Sequence, residues 1–246
     1  MIVVLTMGRS GSSLMMQTLK LLGADVFGYT FRKNPTDAHF ALNPKGYFED
    51  GRLYARGLKS EAFRRLQAQG NPKIAFKTDV LNFVESDAIE LWQGAIHQIT
   101  CVLVSIRIPC EQARSEFLGT DVHPMPDGSM PSAKLAEFQF STEFLQNYRQ
   151  NFQTLERHIE GPLSCYGDRL HAIDYAQARI DPDRYVRRVA TCAKLTPTDT
   201  EIEQAIDNIE EGLYRNKADD LSETQGHWAQ RLGAQKVYEE LRMRFP

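Results

Sequence analysis

Two short stretches of this chain carry residue types that bind anions. The first, Gly8-Arg9-Ser10-Gly11-Ser12-Ser13, follows the apolar run Ile2 to Thr6 and leads into a helical pattern. A strand that stops at glycines and turns straight into a helix leaves several backbone N–H groups facing one spot, and the positive end of the helix reinforces them. Loops that hold nucleoside triphosphates read GxxxxGK[ST], with lysine on the β and γ phosphates and the hydroxyl on magnesium. Here Gly8 and Gly11 are only three apart, no lysine precedes Ser12, and Arg9 stands inside the loop. The second stretch, VLVSIRIPCEQARSEF, puts Arg107 at the end of the most strand-like run and Ser115 eight positions on, in the second turn of the next helix. Both can face one phosphate, and two such grips on one rim of a parallel sheet suit a ligand with two separated phosphates. Taken alone, the first stretch also fits a ligand-free strand-to-helix turn, and Arg107 a surface cation.

The elements that must position these residues follow from alternating short apolar runs and longer helical patterns, the signature of a parallel sheet covered by helices. Ile2 to Thr6, Ile74 to Phe76, Ile99 to Ile106 and Leu170 to Asp174 read as strands. Ser12 to Leu22 reads as a helix, with Met15, Leu19 and Leu22 at helical spacing and Gly23 as C-cap. Leu53 to Gln69, Val84 to His97, residues 133 to 159, Pro182 to Lys194, Asp199 to Ile209 and His227 to Phe245 read as further helices, and Pro109 opens another. Thr120 to Ser132 holds three prolines and a glycine and reads as a surface loop or lid. Of the six histidines, which lack metal-ligand spacing, only His123 in that loop is kept as a candidate for contacting substrate.

Composition narrows the class. A chain of 246 residues, 42% hydrophobic, can bury a large core, and with no repeat or linker a single α/β domain over residues 1–246 is expected. A net charge of -3 argues against nucleic-acid binding, so any anion site is local. Cys101, Cys110, Cys165 and Cys192 form no CxxC pair and read as core residues of a reduced chain. No basic leader precedes the first apolar run and nowhere do 18 apolar residues follow one another, so a cytoplasmic protein without a membrane span is expected.

The ordered set GRSGSS, NPKGYFED, IAFKTD and IRIPCEQARS resembles the sulfotransferases that use 3′-phosphoadenosine 5′-phosphosulfate (PAPS), particularly the bacterial group with an NPxGYxE segment. The resemblance covers residues 1 to 120, and LYRNK with the later GHW resembles the basic segment that closes over the nucleotide in cytosolic members. It implies a P-loop-like nucleotide-binding fold. Arg9, Ser10, Gly11, Ser12 and Ser13 would take the 5′-phosphosulfate, Arg107 and Ser115 the 3′-phosphate, and Arg215 and Lys217 would close over the nucleotide. Lys77 corresponds to the lysine that approaches the transferring group. The acceptor, a small-molecule, lipid or glycan hydroxyl, needs a base within hydrogen-bond reach. Cytosolic members carry histidine where this chain has Asp79, and other branches use a glutamate where it has Glu49.

Asp79 and Lys77 are two apart and share one side of an extended strand. A neighbouring lysine depresses a carboxyl pKa and weakens the base, which tilts the choice slightly towards Glu49. Sulfuryl transfer requires positioning and charge balance, as phosphoryl transfer does, and no metal is expected. A nucleotide-dependent kinase is the alternative, which would need a lysine and a metal-binding acid near the loop. A non-catalytic nucleotide-binding protein that keeps the loops but not the base is another.

Overall fold

Strands rich in Val, Ile and Leu with no polar face must be covered on both sides, and the computed structural model of this chain shows that cover. It describes residues 1–28, 48, 59–80, 94–120, 142–209 and 234–244. Glu49, His123, Arg215 and Lys217 lie outside the described residues, as does most of the expected helix from Val84 to His97. Strands β1 (Ile2–Thr6), β2 (Asp25–Val26), β3 (Ile74–Asp79), β4 (Cys101–Ile106) and β5 (Leu170–Asp174) form one parallel sheet in the order β2-β3-β1-β4-β5. The described helices are α1 (Ser12–Leu21), α2 (Lys59–Ala68), α3 (Pro109–Thr120), α4 (Thr142–Glu160), α5 (Tyr175–Ile180), α6 (Pro182–Cys192), α7 (Asp199–Asp207) and α8 (Ala234–Arg244), with a 3-10 stretch at Pro162–Arg169. This is the expected central parallel sheet flanked by helices. No described helix is long and apolar enough to cross a membrane.

Alternation along the strands sorts the core into two layers. Ile2, Val4, Ala75 and Leu103 pack with Met15, Met16 and Leu19 of α1 and Val186 and Val189 of α6. Val3, Leu5, Phe76, Val102 and Val104 pack on the opposite face with Phe152 and Leu155 of α4 and Val237 and Leu241 of α8. Each fully buried Val, Leu or Ile contributes roughly 1.5–3 kcal/mol, so this core, rather than helix propensity, fixes where the strands end. Of the aromatic residues clustered early in the chain, Phe48 is buried in the first layer and Phe27 packs against the second.

Local signals set several boundaries. Gly23 holds φ 85° past the end of α1, where the Ala24 N–H donates to the Leu19 carbonyl at 2.9 Å and the Gly23 N–H to Lys20 at 3.2 Å, closing the helix as a Schellman motif. Asp181 caps α6 by accepting from the Arg184 N–H, with Pro182 in the first helical turn. Thr198 and Glu201 form a reciprocal capping box on α7.

Two expectations need correction. β3 continues past Phe76 through Lys77, Thr78 and Asp79, because β1 keeps pairing with it to the register Thr6↔Asp79. Cys165 is exposed on the 3-10 stretch, while Cys101, Cys110 and Cys192 are buried.

The topology matters for the site. The chain leaves β1 towards β2 and β3 on one side of the sheet, and leaves β4 towards β5 on the other. Connections that diverge in this way open a crevice at the carboxyl ends of the two strands, here β1 and β4.

Candidate functional site at the carboxyl ends of β1 and β4

The turn after β1 is held in a conformation most residues avoid. Gly8 has φ 71°, Arg9 φ 51° and Gly11 φ 90°, all in the left-handed region. For Arg9, which has a Cβ, that region costs on the order of 1 kcal/mol. Gly11 is required twice over: its φ suits glycine, and a Cβ there would lie 2.1 Å from Cδ2 of the Tyr175 ring. Thr6 anchors the start of the turn, since its Oγ1 accepts from the Gly8 N–H at 3.1 Å and shares a 3.1 Å hydrogen bond with the Ser10 hydroxyl. Gly11 is the N-cap of α1 without a capping side chain, and the first turn contains no acidic residue. A helix start left this way presents N–H groups and a positive dipole end to an incoming anion.

The turn after β4 supplies side chains instead of amides. Pro109 starts α3 two residues beyond Arg107, and the buried Arg107 donates through Nε to Oε2 of the fully buried Glu111 at 3.2 Å. Its guanidinium lies 4.9 Å from the Tyr175 ring centroid, a cation–π contact. Arg107 also reaches the first turn, with its Nη1 donating to the Arg9 carbonyl at 3.4 Å. Arg9 reaches back: its Nε donates to the Ser115 carbonyl and hydroxyl, both at 3.2 Å. The two stretches expected to bind anions therefore interlock on one rim of the sheet.

Lys77 and Asp79 stand on the adjacent strand, on the side of the sheet that faces α1. Lys77 is buried, 2% exposed, and its ammonium donates to the Ser13 hydroxyl at 3.3 Å. Asp79, partly buried, pairs in register with Thr6 at the very start of the loop. Lys77, Ser13, Arg9, Arg107 and Ser115 are thus brought together, whereas Glu49, Arg215 and Lys217 fall outside the described residues. Among the described residues no group of three or more His, Cys, Asp and Glu is placed to hold a metal.

Several residues at this site had no flag in the sequence. Ser105 donates to the Ser10 carbonyl at 2.8 Å, and Gln112 donates through Nε2 to the Gly8 carbonyl at 2.8 Å and the Met7 carbonyl at 3.4 Å. Tyr175 floors the loop at Gly11 and stacks with Arg107. Asp174 precedes it, capping α5 through the Ala176 N–H at 2.9 Å and accepting from the Tyr238 hydroxyl of α8 at 2.8 Å. Only Glu111 had a readable signal, the four-residue spacing from Arg107 on a helix.

Comparison with known proteins shows the fold. No protein-family model and no curated protein matches the chain. Among solved structures it is similar to a mouse sulfotransferase complexed with PAP, with a TM-score of 0.58 and 12% identity over 99% of this chain and 87% of the other. It is also similar to the sulfotransferase domain from the curacin biosynthetic pathway, with a TM-score of 0.50 and 14% identity over 94% of this chain and 96% of the other.

Proposed function

We propose that this chain transfers a sulfuryl group from PAPS to a hydroxyl acceptor on a small molecule, lipid or glycan. The observation that carries the reading is the interlock between the two turns, Arg9 to Ser115 and Arg107 to the Arg9 carbonyl, at the crevice where β1 and β4 diverge. One adenosine with phosphate groups at both ends suits two grips held that close. The fold shared with two sulfotransferases, one of them complexed with PAP, supports the same reading.

The roles follow from charge. The loop amides around Ser10 to Ser13, with Arg9, hold the 5′-phosphosulfate, and Arg107 with Ser115 holds the 3′-phosphate. Charge that builds on the oxygen bridging phosphorus and sulfur needs a fixed donor nearby, and Lys77, already held against Ser13, is that donor. The acceptor hydroxyl loses its proton to a carboxylate, either Asp79 beside Lys77 or Glu49. Nothing in these roles calls for a metal.

The test is turnover with sulfur-labelled PAPS against a panel of alcohols, phenols and amines. The reading expects label on at least one hydroxyl acceptor and inhibition by adenosine 3′,5′-bisphosphate. Donor binding without transfer to any acceptor would replace it with a non-catalytic nucleotide-binding protein. Tight binding of ATP with magnesium, together with indifference to the bisphosphate, would replace it with a kinase.

A further inference from the structure

The loop after β1 is gripped by its carbonyls. Gln112 Nε2 donates to the Gly8 carbonyl at 2.8 Å, Arg107 Nη1 to the Arg9 carbonyl at 3.4 Å, and Ser105 Oγ to the Ser10 carbonyl at 2.8 Å. Three consecutive carbonyls are thus taken by three side chains of β4, α3 and the turn between them. A trans peptide unit is planar, and its C=O and N–H point in opposite directions. Fixing the carbonyls of Gly8, Arg9 and Ser10 towards β4 and α3 therefore turns the N–H groups of Arg9, Ser10 and Gly11 the other way. Those three amides belong to the loop assigned above to the 5′-phosphosulfate.

Among the described residues, the only other side-chain hydrogen bond from Gln112 or Ser105 is the 3.4 Å one from Gln112 Nε2 to the Met7 carbonyl, at the start of the same turn. Gln112 and Ser105 are both buried. Gln112 Oε1 is buried without a hydrogen-bond partner among the described residues, an arrangement that costs stability. An apolar side chain of the same length would suit α3 better, so what the amide offers the fold is its donor end, and that end is spent on the loop.

We infer that Gln112 and Ser105 are positioning residues that, with Arg107, clasp the loop carbonyls and thereby preset the Arg9, Ser10 and Gly11 amides for an anion. The inference rests on the reading that this loop binds an anion. Within the second stretch, it gives Ser105 and Gln112 a task separate from the phosphate contacts assigned to Arg107 and Ser115. Because preset donors need no reorganisation when the ligand arrives, loss of the clasp weakens anion binding more than it weakens the fold.

The experiment uses the full chain and its Gln112→Met and Ser105→Ala variants. The backbone amide resonances of Arg9, Ser10 and Gly11 are followed during titration with inorganic sulfate and, separately, with adenosine 3′,5′-bisphosphate. Thermal unfolding of each ligand-free protein is measured alongside. The expected result is that these amides shift in the parent chain. Each variant should need about tenfold more sulfate for the same shift, a loss of about one neutral hydrogen bond, while Gln112→Met unfolds at nearly the parent temperature. If Gln112→Met is too unstable to titrate, Ser105→Ala carries the comparison. Variants that bind sulfate as the parent does would overturn the clasp, as would a parent chain in which neither anion moves the three amides. Amides that respond to sulfate through Gln112 and Ser105, with no response to the bisphosphate, would uphold the clasp and sink the nucleotide reading instead.

Discussion

The turns after β1 and after β4 stand side by side and, on the proposed reading, would meet one need by opposite means. The first offers backbone: three consecutive loop amides, a helix start with no capping side chain, and left-handed φ values that even Arg9 adopts. The second offers side chains: Arg107, fixed by Glu111 and Tyr175, and Ser115, on a helix opened by a proline. The difference teaches where each is vulnerable. A backbone site is broken by adding atoms to a glycine, and a side-chain site by removing atoms from an arginine.

The largest expected effect is at Arg107. Arg107→Ala should weaken binding of adenosine 3′,5′-bisphosphate by at least about a hundredfold, the size of a lost buried charge pair, while a nucleotide lacking the 3′-phosphate loses far less. Because the change also strips Glu111 of its guanidinium, the fold should lose about 3 kcal/mol in urea unfolding. Adding Glu111→Gln should restore most of that stability and none of the affinity. Equal losses for both nucleotides would remove the role assigned to Arg107.

Gly11→Ala tests the other turn. A methyl group 2.1 Å from the Tyr175 ring forces the ring or the loop to move, at a cost of about 2–4 kcal/mol. Denaturant unfolding should show it, and binding of the 5′-phosphate end should fall with it. An unaltered midpoint would mean that Tyr175 does not floor the loop.

Between the two turns, Lys77→Met should lower turnover roughly ten- to a hundredfold with donor affinity changed only a few-fold, as fits a group that acts on developing charge. Comparing Asp79→Asn with Glu49→Gln in the same assay should yield one much slower enzyme, and two active variants would exclude both proposed bases.

Away from the rim the expected effects are small. Burial, and secondarily the Arg188 charge, hold the His171 imidazole below its ordinary pKa of 6.5. An unfolded chain then takes up the proton more readily than the folded one, so stability is complete above about pH 6.5 and declines as pH falls below it. His171→Asn should flatten that part of the curve. Lys194 closes α6 at φ 55°, where the Leu195 N–H donates to the Ala190 carbonyl at 2.9 Å. Lys194→Gly should therefore stabilise by about 0.5–1 kcal/mol.

How much of this was legible follows the same contrast. β1 and β4 could be read because most of their residues are apolar and several are β-branched, and the starts of α6 and α7 because Pro182 and Thr198 stand where a helix begins. That Arg107 and Ser115 lie near one another was legible from one standing at the end of a strand and the other in the second turn of the helix that follows. β3 was only partly legible: Ile74 to Phe76 show as a buried apolar run, while the bounds of the polar extension through Asp79 are set by its pairing with β1. β2 has two residues and α5 six, too few for any period to show. Gln112 and Ser105 were invisible for a different reason: a side chain that bonds a distant backbone carbonyl leaves no pattern in its own segment. Tyr175 gave no signal either, because its partners Gly11 and Arg107 lie far away in the chain.

The central claim, that the two turns hold opposite ends of one nucleotide, is tested most directly by calorimetric titration of the parent chain with adenosine 3′,5′-bisphosphate and with the 5′- and 3′-monophosphates separately. The account predicts that the bisphosphate binds at least about tenfold more tightly than either monophosphate, since each phosphate contributes a charge-assisted contact. A bisphosphate that binds no better than one of the monophosphates would contradict it.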